Sequence, residues 1–386
     1  MNTLWKGASE VIGWENAEKK IQSGKKLRIK HGIDPTAPDL HLGYAVVYTV
    51  LRRFQDAGHT VIFLIGDFTT RIGDPTDKDV TRPVLSPEQI KKNVESCLNQ
   101  VGKILDLSTL EIRYNSEWWD TTTLQDFMNI ARHVSASRLW ERDMFERRLS
   151  HGGTVATHEF LYPLLQGYDS VMLESDATVI GSDQTFNELM GRELQEDYKQ
   201  TPQAIITMPL LRGTDGVRKM GQSLGNYIGI MESPQEQYGK IMSIPDELMP
   251  DYFELLTDVP RADIEFRLQE SEVNPRDIKM ELARVIVTRM HSEKDAHDAE
   301  HHFVEQFQKG NIEDAPKVHV GSNEIGVVDA LIRGELITSK TDARRVIEQG
   351  GVSIGDEVVT SPDHIITLTS EGILLRKGRH YIHLLP

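Results

Sequence analysis

The sequence predicts an α/β protein, with a doubly wound parallel-sheet core followed by a helical domain and a small α/β tail. Three observations carry this. In the first half, short β-branched runs alternate with longer stretches of helical spacing, as in parallel sheets whose strands are joined by helices. From residue 235 to 308 strand signals fade, while Glu, Lys and Leu recur at helical spacing. After a polar linker with Gly and Pro, residues 309–323, compact helix and strand patterns return. Domain boundaries are therefore expected at 1–234, 235–320 and 321–386.

Residues 27–33 read as the first strand. A proline-marked loop, 34–39, leads into a helix over 40–57 that stops before Gly58. Residues 60–65 are almost wholly apolar, as expected of a central strand covered on both faces. Ser86, Pro87 and Gln89 supply an N-cap, a first-turn proline and a capping-box partner, opening a helix to about residue 105. Helix, strand and helix follow at 159–168, 177–180 and 184–194, with a further strand at 204–208. The tail holds two helical patterns and a strand-rich end.

The chain's 39% hydrophobic and 26% charged content suffices for a sizeable core, and its 386 residues suggest more than one domain. No apolar run nears the roughly 18 residues needed to span a bilayer, and residues 1–14 lack a signal-peptide pattern. Cys97 is the only cysteine. This excludes intramolecular disulfides and cysteine-rich zinc sites, and fits a cytoplasmic setting. A net charge of −16 argues against a general nucleic-acid coat, though a local basic surface could still dock one folded RNA.

Three segments have compositions that core packing does not require. The first runs from Gly32 through Asp34, Thr36, Asp39 and His41 to Gly43 and Tyr44, at the carboxyl end of the first strand. Ligands of open parallel sheets bind there, and a helix N-terminus offers free N–H groups to phosphate. Its bland alternative is an ordinary strand–helix turn capped by Asp39. The second, residues 217–226, is a cationic loop punctuated by glycine and suited to closing over a triphosphate; alone it would read as a surface turn. The third joins Gly181, Ser182, Asp183 and Gln184 to a preceding helix bearing Tyr162, Gln166 and Asp169. Spacings of four and three put that phenol, amide and carboxylate on one helix face, which makes a polar pocket or simply a solvated face.

Together these segments resemble the tyrosyl-tRNA synthetases, which are class I aminoacyl-tRNA synthetases, and the likeness extends over essentially the whole chain. Residues 34–43 resemble the family's first signature, usually His-Ile/Leu-Gly-His. Residues 219–223 resemble the second, usually Lys-Met-Ser-Lys-Ser. The stretches 162–169 and 181–184 match the tyrosine-type members. The tail, with Arg344, Arg345 and 350–352, is similar to their small RNA-binding domain. The resemblance implies a Rossmann-type catalytic core that uses ATP, with Mg²⁺, to activate L-tyrosine and transfer it to tRNA, in a homodimer. It also implies roles. Gly32, Asp34, Gly43 and Asp183 would hold ATP, with Gln222 beside it. Thr36, His41, Lys219 and Ser223 would meet the polyphosphate, and Lys78 and Arg82 would clamp the leaving pyrophosphate. Asp74, Tyr162, Gln166, Asp169 and Gln184 would form the tyrosine site, Asp169 reading the phenol.

Two signature positions depart from the pattern: Tyr44 stands for the second histidine and Gln222 for the second lysine. An enzyme that passes activated tyrosine to a small molecule or peptide fits such departures, as does a non-catalytic tyrosine- or RNA-binding regulator. No protein-bound metal is expected. His297 and His301 have metal-ligand spacing, but acidic neighbours make that helix a solvated polar face. Trp118 and Trp119 are expected simply as core packing.

Overall fold

The computed structural model describes residues 3–74, 85–141, 143–270, 273–307, 316–355, 357–369, 372–378 and 380–386. It divides into two compact units, Met1–His297 and Asp298–Pro386.

The first unit is built on a six-stranded sheet of β1 (Glu10–Ile12), β2 (Arg28–Ile33), β3 (Thr60–Ile65), β4 (Glu111–Tyr114), β5 (Ala177–Gly181) and β6 (Ala204–Met208), in the order β1-β6-β5-β2-β3-β4. All neighbours are parallel except β1, which pairs antiparallel with β6 at the edge. Winding starts at β2, runs outward through β3 to β4, then returns to lay β5 on the other side of β2. The sheet is thus doubly wound, with its switch point between β2 and β5. β3 is buried along nearly its whole length, as a strand covered on both faces should be. The two edge strands were not legible in sequence: β1 has three residues, and β4 is half-buried and carries two charges.

The Leu42–Asp56 helix covers one face of the sheet with nine buried residues, among them Tyr48, Leu51 and Phe54. Its N-cap is His41, not Asp39: the His41 ring accepts from the Gly43 N–H. The Pro87–Val101 helix opens with the expected Ser86–Gln89 capping box but ends at Val101, before Gly102. On the other side, the Thr157–Leu173 and Thr185–Asp197 helices approach closely at two glycines. A Cβ on Gly167 would lie 3.0 Å from the Gly191 nitrogen, and one on Gly191 would lie 2.7 Å from the Ser170 hydroxyl. That proximity brings Gln166 against Asn187 and Glu188 of the second helix.

The helical stretch comprises Pro234–Met242, Met249–Leu256, Arg261–Gln269, Pro275–Met290 and Glu293–Phe307. Its earlier helices are tied to segments that follow the core's elements: the Tyr252 hydroxyl donates to the Arg212 carbonyl beyond β6, and the Lys103 ammonium, beyond the Pro87–Val101 helix, to the Met290 carbonyl, each at 2.7 Å. His297 and His301 are exposed, and His301 lies 3.5 Å from Glu305.

The second unit packs the Val327–Arg333 and Lys340–Glu348 helices on a sheet of β7 (Lys317–His319), β9 (Val352–Ile354), β10 (Glu357–Val359), β12 (Ile373–Lys377) and β13 (His380–Leu385). A short pair, β8 (Glu324–Gly326) with β11 (Ile365–Thr367), completes it. Its core holds Val327, Leu331, Ala343, Ile347, Leu375 and Leu384. Arg344 is exposed, whereas Lys340 pairs with Asp329 and Arg345 with Asp342. Among the described residues no helix is long and apolar enough to cross a membrane.

Candidate active site

A cavity of ≈ 530 Å³ opens at the carboxyl ends of β2 and β5, against the switch point. Its volume suits a small-molecule site. Fourteen of the sixteen expected site residues line it: Gly32, Asp34, Thr36, His41, Gly43, Asp74, Tyr162, Gln166, Asp169, Asp183, Gln184, Lys219, Gln222 and Ser223. Lys78 and Arg82 lie outside the described residues.

At one end three carboxylates gather. Asp169 is buried, and its Oδ1 accepts from the indole N–H groups of both Trp118 and Trp119 at 3.0 Å. Among the described residues its Oδ2 accepts just one long contact, 3.4 Å, from the Asn115 amide. Asp34 accepts from the Tyr162 hydroxyl at 2.8 Å and the Thr69 hydroxyl at 2.7 Å. Expected on the ATP side, the Asp34 carboxylate thus meets Tyr162, a residue expected on the tyrosine side. Asp74 accepts from the Gln184 amide at 2.9 Å. Burial pushes Asp34 up to about 7, against the Thr69 and Tyr162 hydrogen bonds and with the help of Asp74 and Asp169. Burial likewise raises Asp169 to about 7, opposed by Lys30 and the donors from Trp119, Asn115 and Trp118.

The other end is loop-built and carries His41 and Lys219. His41 caps its helix through Nδ1, accepting from the Gly43 N–H at 3.2 Å, so a neutral ring carries its proton on Nε2. Burial, reinforced by the charge of Lys219, lowers its pKa to about 4, so it is a neutral donor near pH 7. A Cβ on Gly43 would lie 2.9 Å from the His41 ring, so any other residue there would push the imidazole aside. Lys219 pairs with Asp183 at 3.2 Å, joining the second loop to the end of β5. Asn226 knots that loop: its Oδ1 accepts from the Gly221 N–H, and its amide donates to Asp215 and to the Lys219 carbonyl.

The departures have definite surroundings. The Tyr44 ring packs 4.7 Å from His41 and 6.4 Å from Tyr48, and the Gln222 amide donates to the Asp39 carbonyl at 2.6 Å. Trp118 and Trp119 are core, as expected, but also direct two donors at one carboxylate. Adjacent tryptophans near the sheet's carboxyl end were the available hint; nothing in sequence pairs them with Asp169. Thr69, Asn115, Lys30, Asn187 and Glu188 carried no signal of their own.

A family model described as tRNA synthetases class I (W and Y) matches residues 22–308, and one described as Tyrosine--tRNA ligase SYY-like C-terminal domain matches 306–385. A Tyrosine--tRNA ligase of Bordetella avium is 48% identical over 97% of this chain and 93% of its own. One of Thermotoga maritima is 45% identical over 96% and 93%. Among solved structures, a truncated mitochondrial tyrosyl-tRNA synthetase of Aspergillus nidulans superposes with a TM-score of 0.64 at 23% identity, covering 79% of this chain and 92% of that one. The tyrosyl-tRNA synthetase of Archaeoglobus fulgidus complexed with L-tyrosine gives 0.62 at 21%, covering 77% and 97%. These last two speak for the fold. With the site at a switch point and relatives matching nearly end to end, the chain belongs to the class I tRNA synthetases, among the tyrosine–tRNA ligases of bacterial type.

Proposed function

We infer that this chain is a tyrosine–tRNA ligase, which activates L-tyrosine with ATP and transfers it to tRNA. The observation that carries the reading is the single cavity joining two chemistries: an amino-acid-sized acidic end around Asp34, Asp74 and Asp169, and a loop-built end around His41 and Lys219. The tyrosine ammonium faces Asp74, Tyr162 and Gln166, its phenol meets Asp169 Oδ2, and Gln184 lies beside its carboxylate. Asp34 fixes the Tyr162 hydroxyl.

In activation, a carboxylate oxygen of tyrosine bonds to the α-phosphorus while the bond to the bridging oxygen breaks, and pyrophosphate leaves. A tRNA hydroxyl then attacks the activated carbonyl, and AMP departs. No nucleophilic side chain is needed; the protein supplies position and charge that act most strongly in the transition state. His41 donates a neutral hydrogen bond and Lys219 a full charge toward the phosphates, with Thr36, Gly43 and Ser223 at the same end. Gly32 and Asp183 flank the nucleoside, and Lys78 and Arg82 engage pyrophosphate. Mg²⁺ enters as part of the ATP substrate, its ligands the phosphate oxygens and water.

The helices from residue 235 and the tail from 321 hold the tRNA. A cytoplasmic homodimer fits this reading. Leu124, Met128 and Trp140 are 77%, 54% and 51% exposed, more apolar surface than water favours on neighbouring helices. The test is tyrosine-dependent ATP–pyrophosphate exchange followed by transfer of labelled tyrosine to tRNA. Exchange without transfer to any tRNA would instead favour a small-molecule or peptide acceptor.

A further inference from the structure

Along the cavity runs a chain of hydrogen-bonded polar groups, from the buried Lys30 and Glu188 to the half-buried Gln166, Gln184 and Asp74. Lys30 and Glu188 are each about 1% exposed and pair at 2.9 Å. Lys30 also donates to the Ser170 hydroxyl at 2.7 Å. Glu188 accepts from the Gln166 amide at 2.9 Å and from the Gln203 amide at 2.8 Å. The other end of Gln166, its Oε1, accepts from the Asn187 amide at 2.7 Å, and that same Asn187 nitrogen donates to Gln184 Oε1 at 2.8 Å. Gln184 in turn donates to Asp74 at 2.9 Å. The line runs unbroken from Lys30 through Glu188, Gln166, Asn187 and Gln184 to Asp74.

Its polarity is fixed at both ends. A carboxylate only accepts hydrogen bonds and an ammonium only donates. Glu188 pairs with Lys30 and accepts from the Gln166 amide, so the Gln166 nitrogen faces that carboxylate and its oxygen faces away. At the far end Asp74 demands the Gln184 nitrogen, which turns that oxygen inward. Asn187, fully buried, donates from one amide nitrogen to both oxygens. Reversing either glutamine would set oxygen against carboxylate in a low-dielectric interior, where an unmade bond costs most.

We propose that Lys30, Asn187 and Glu188 are positioning residues that orient the amides of Gln166 and Gln184 to read the head group of the amino acid. Gln166 then presents an acceptor to the ammonium, and Gln184 presents a donor to the carboxylate. This rests on the tyrosine reading above. The network selects an α-amino acid over molecules that share only the phenol, a task separate from that of Asp169.

The experiment compares L-tyrosine with its des-amino analogue, which keeps phenol and carboxylate but lacks the ammonium, by calorimetry on the full chain. In Glu188→Gln the anchor loses its charge and Gln166 can turn over. Tyrosine affinity should fall roughly tenfold or more, as for loss of a charge-assisted hydrogen bond, while the analogue binds as before. Removing one partner of a buried pair strands the other charge, so the paired variant Lys30→Met/Glu188→Gln is measured alongside and should show the same selective loss. Equal weakening of both ligands, or no weakening of either, would overturn the proposal. Failure of the unsubstituted chain to bind tyrosine at all would instead refute the tyrosine reading, a distinct result.

Discussion

The Gln222 amide donates to the Asp39 carbonyl at 2.6 Å, tying the second signature loop to the first through an uncharged group. The residue in the lysine position therefore has a contact of its own. Gln222→Ala removes the tie, and ATP–pyrophosphate exchange should slow by roughly tenfold, as expected for one well-placed hydrogen bond. Gln222→Lys keeps a donor and restores a charge beside the phosphates, and should speed exchange by up to about 10²-fold. An alanine variant as fast as the parent would show that the tie plays no part in activation.

Gly43→Ala tests the capping role of His41. The added Cβ would lie 2.9 Å from the imidazole, and the Gly43 N–H is the group that fixes the ring's protonated nitrogen. Adenylate formation should drop by about 10² or more through loss of a pre-organised donor, with tyrosine affinity nearly unchanged. Loss of tyrosine binding with retained turnover would place His41 at the wrong end of the cavity.

The two indoles on Asp169 bear on selectivity. Trp119→Phe removes one donor from Oδ1, so the carboxylate becomes harder to keep charged. Tyrosine affinity should fall by roughly tenfold while phenylalanine, which offers no hydroxyl, is little affected. Calorimetry giving parallel losses for both amino acids would mean the indole is packing alone.

Asp34 links pH to stability. Its folded pKa of about 7 exceeds the ordinary 3.8, chiefly through burial, so between these values the folded chain binds more protons than the unfolded one. Stability from this group is therefore full below pH 3.8 and is lost as pH rises through 7. Asp34→Asn mimics the neutral acid and lacks the dependence. The melting temperature of the variant minus that of the parent should grow from pH 5 to pH 8, about the interval over which the acid loses its proton. A flat difference would show that Asp34 is already ionised at pH 5.

Truncation after residue 307 separates activation from transfer. Every described cavity residue belongs to the first unit, so tyrosine-dependent exchange should persist within about twofold, within the scatter of independent sites. Charging of tRNA should fall sharply. In the full chain it should weaken as salt rises, since phosphate contacts release counterions. Charging that survives truncation unchanged would remove the tail from tRNA recognition.

Much of this protein is set by local order, and that part was legible in sequence. The apolar run of β3, the Ser86–Gln89 capping box and the strand–helix alternation each depend on neighbours within a few residues. So does the shared helix face of Tyr162, Gln166 and Asp169. What escaped depends on contacts between distant segments. β1 and β4 are edge strands of three and four residues, too short for a periodic signal, and they exist because β6 and β3 offer them hydrogen bonds. His41 rather than Asp39 caps its helix because its ring reaches the Gly43 N–H. Asp34 faces Tyr162 and Thr69, and Asp169 faces two tryptophans some fifty positions earlier, because the winding of the sheet brings β2, β4 and the helix before β5 to one crevice. Sequence determined which groups are available and which helix face they share. Only the tertiary structure decided which carboxylate meets which donor, since a buried polar group is satisfied by whatever the fold places within about 3 Å of it.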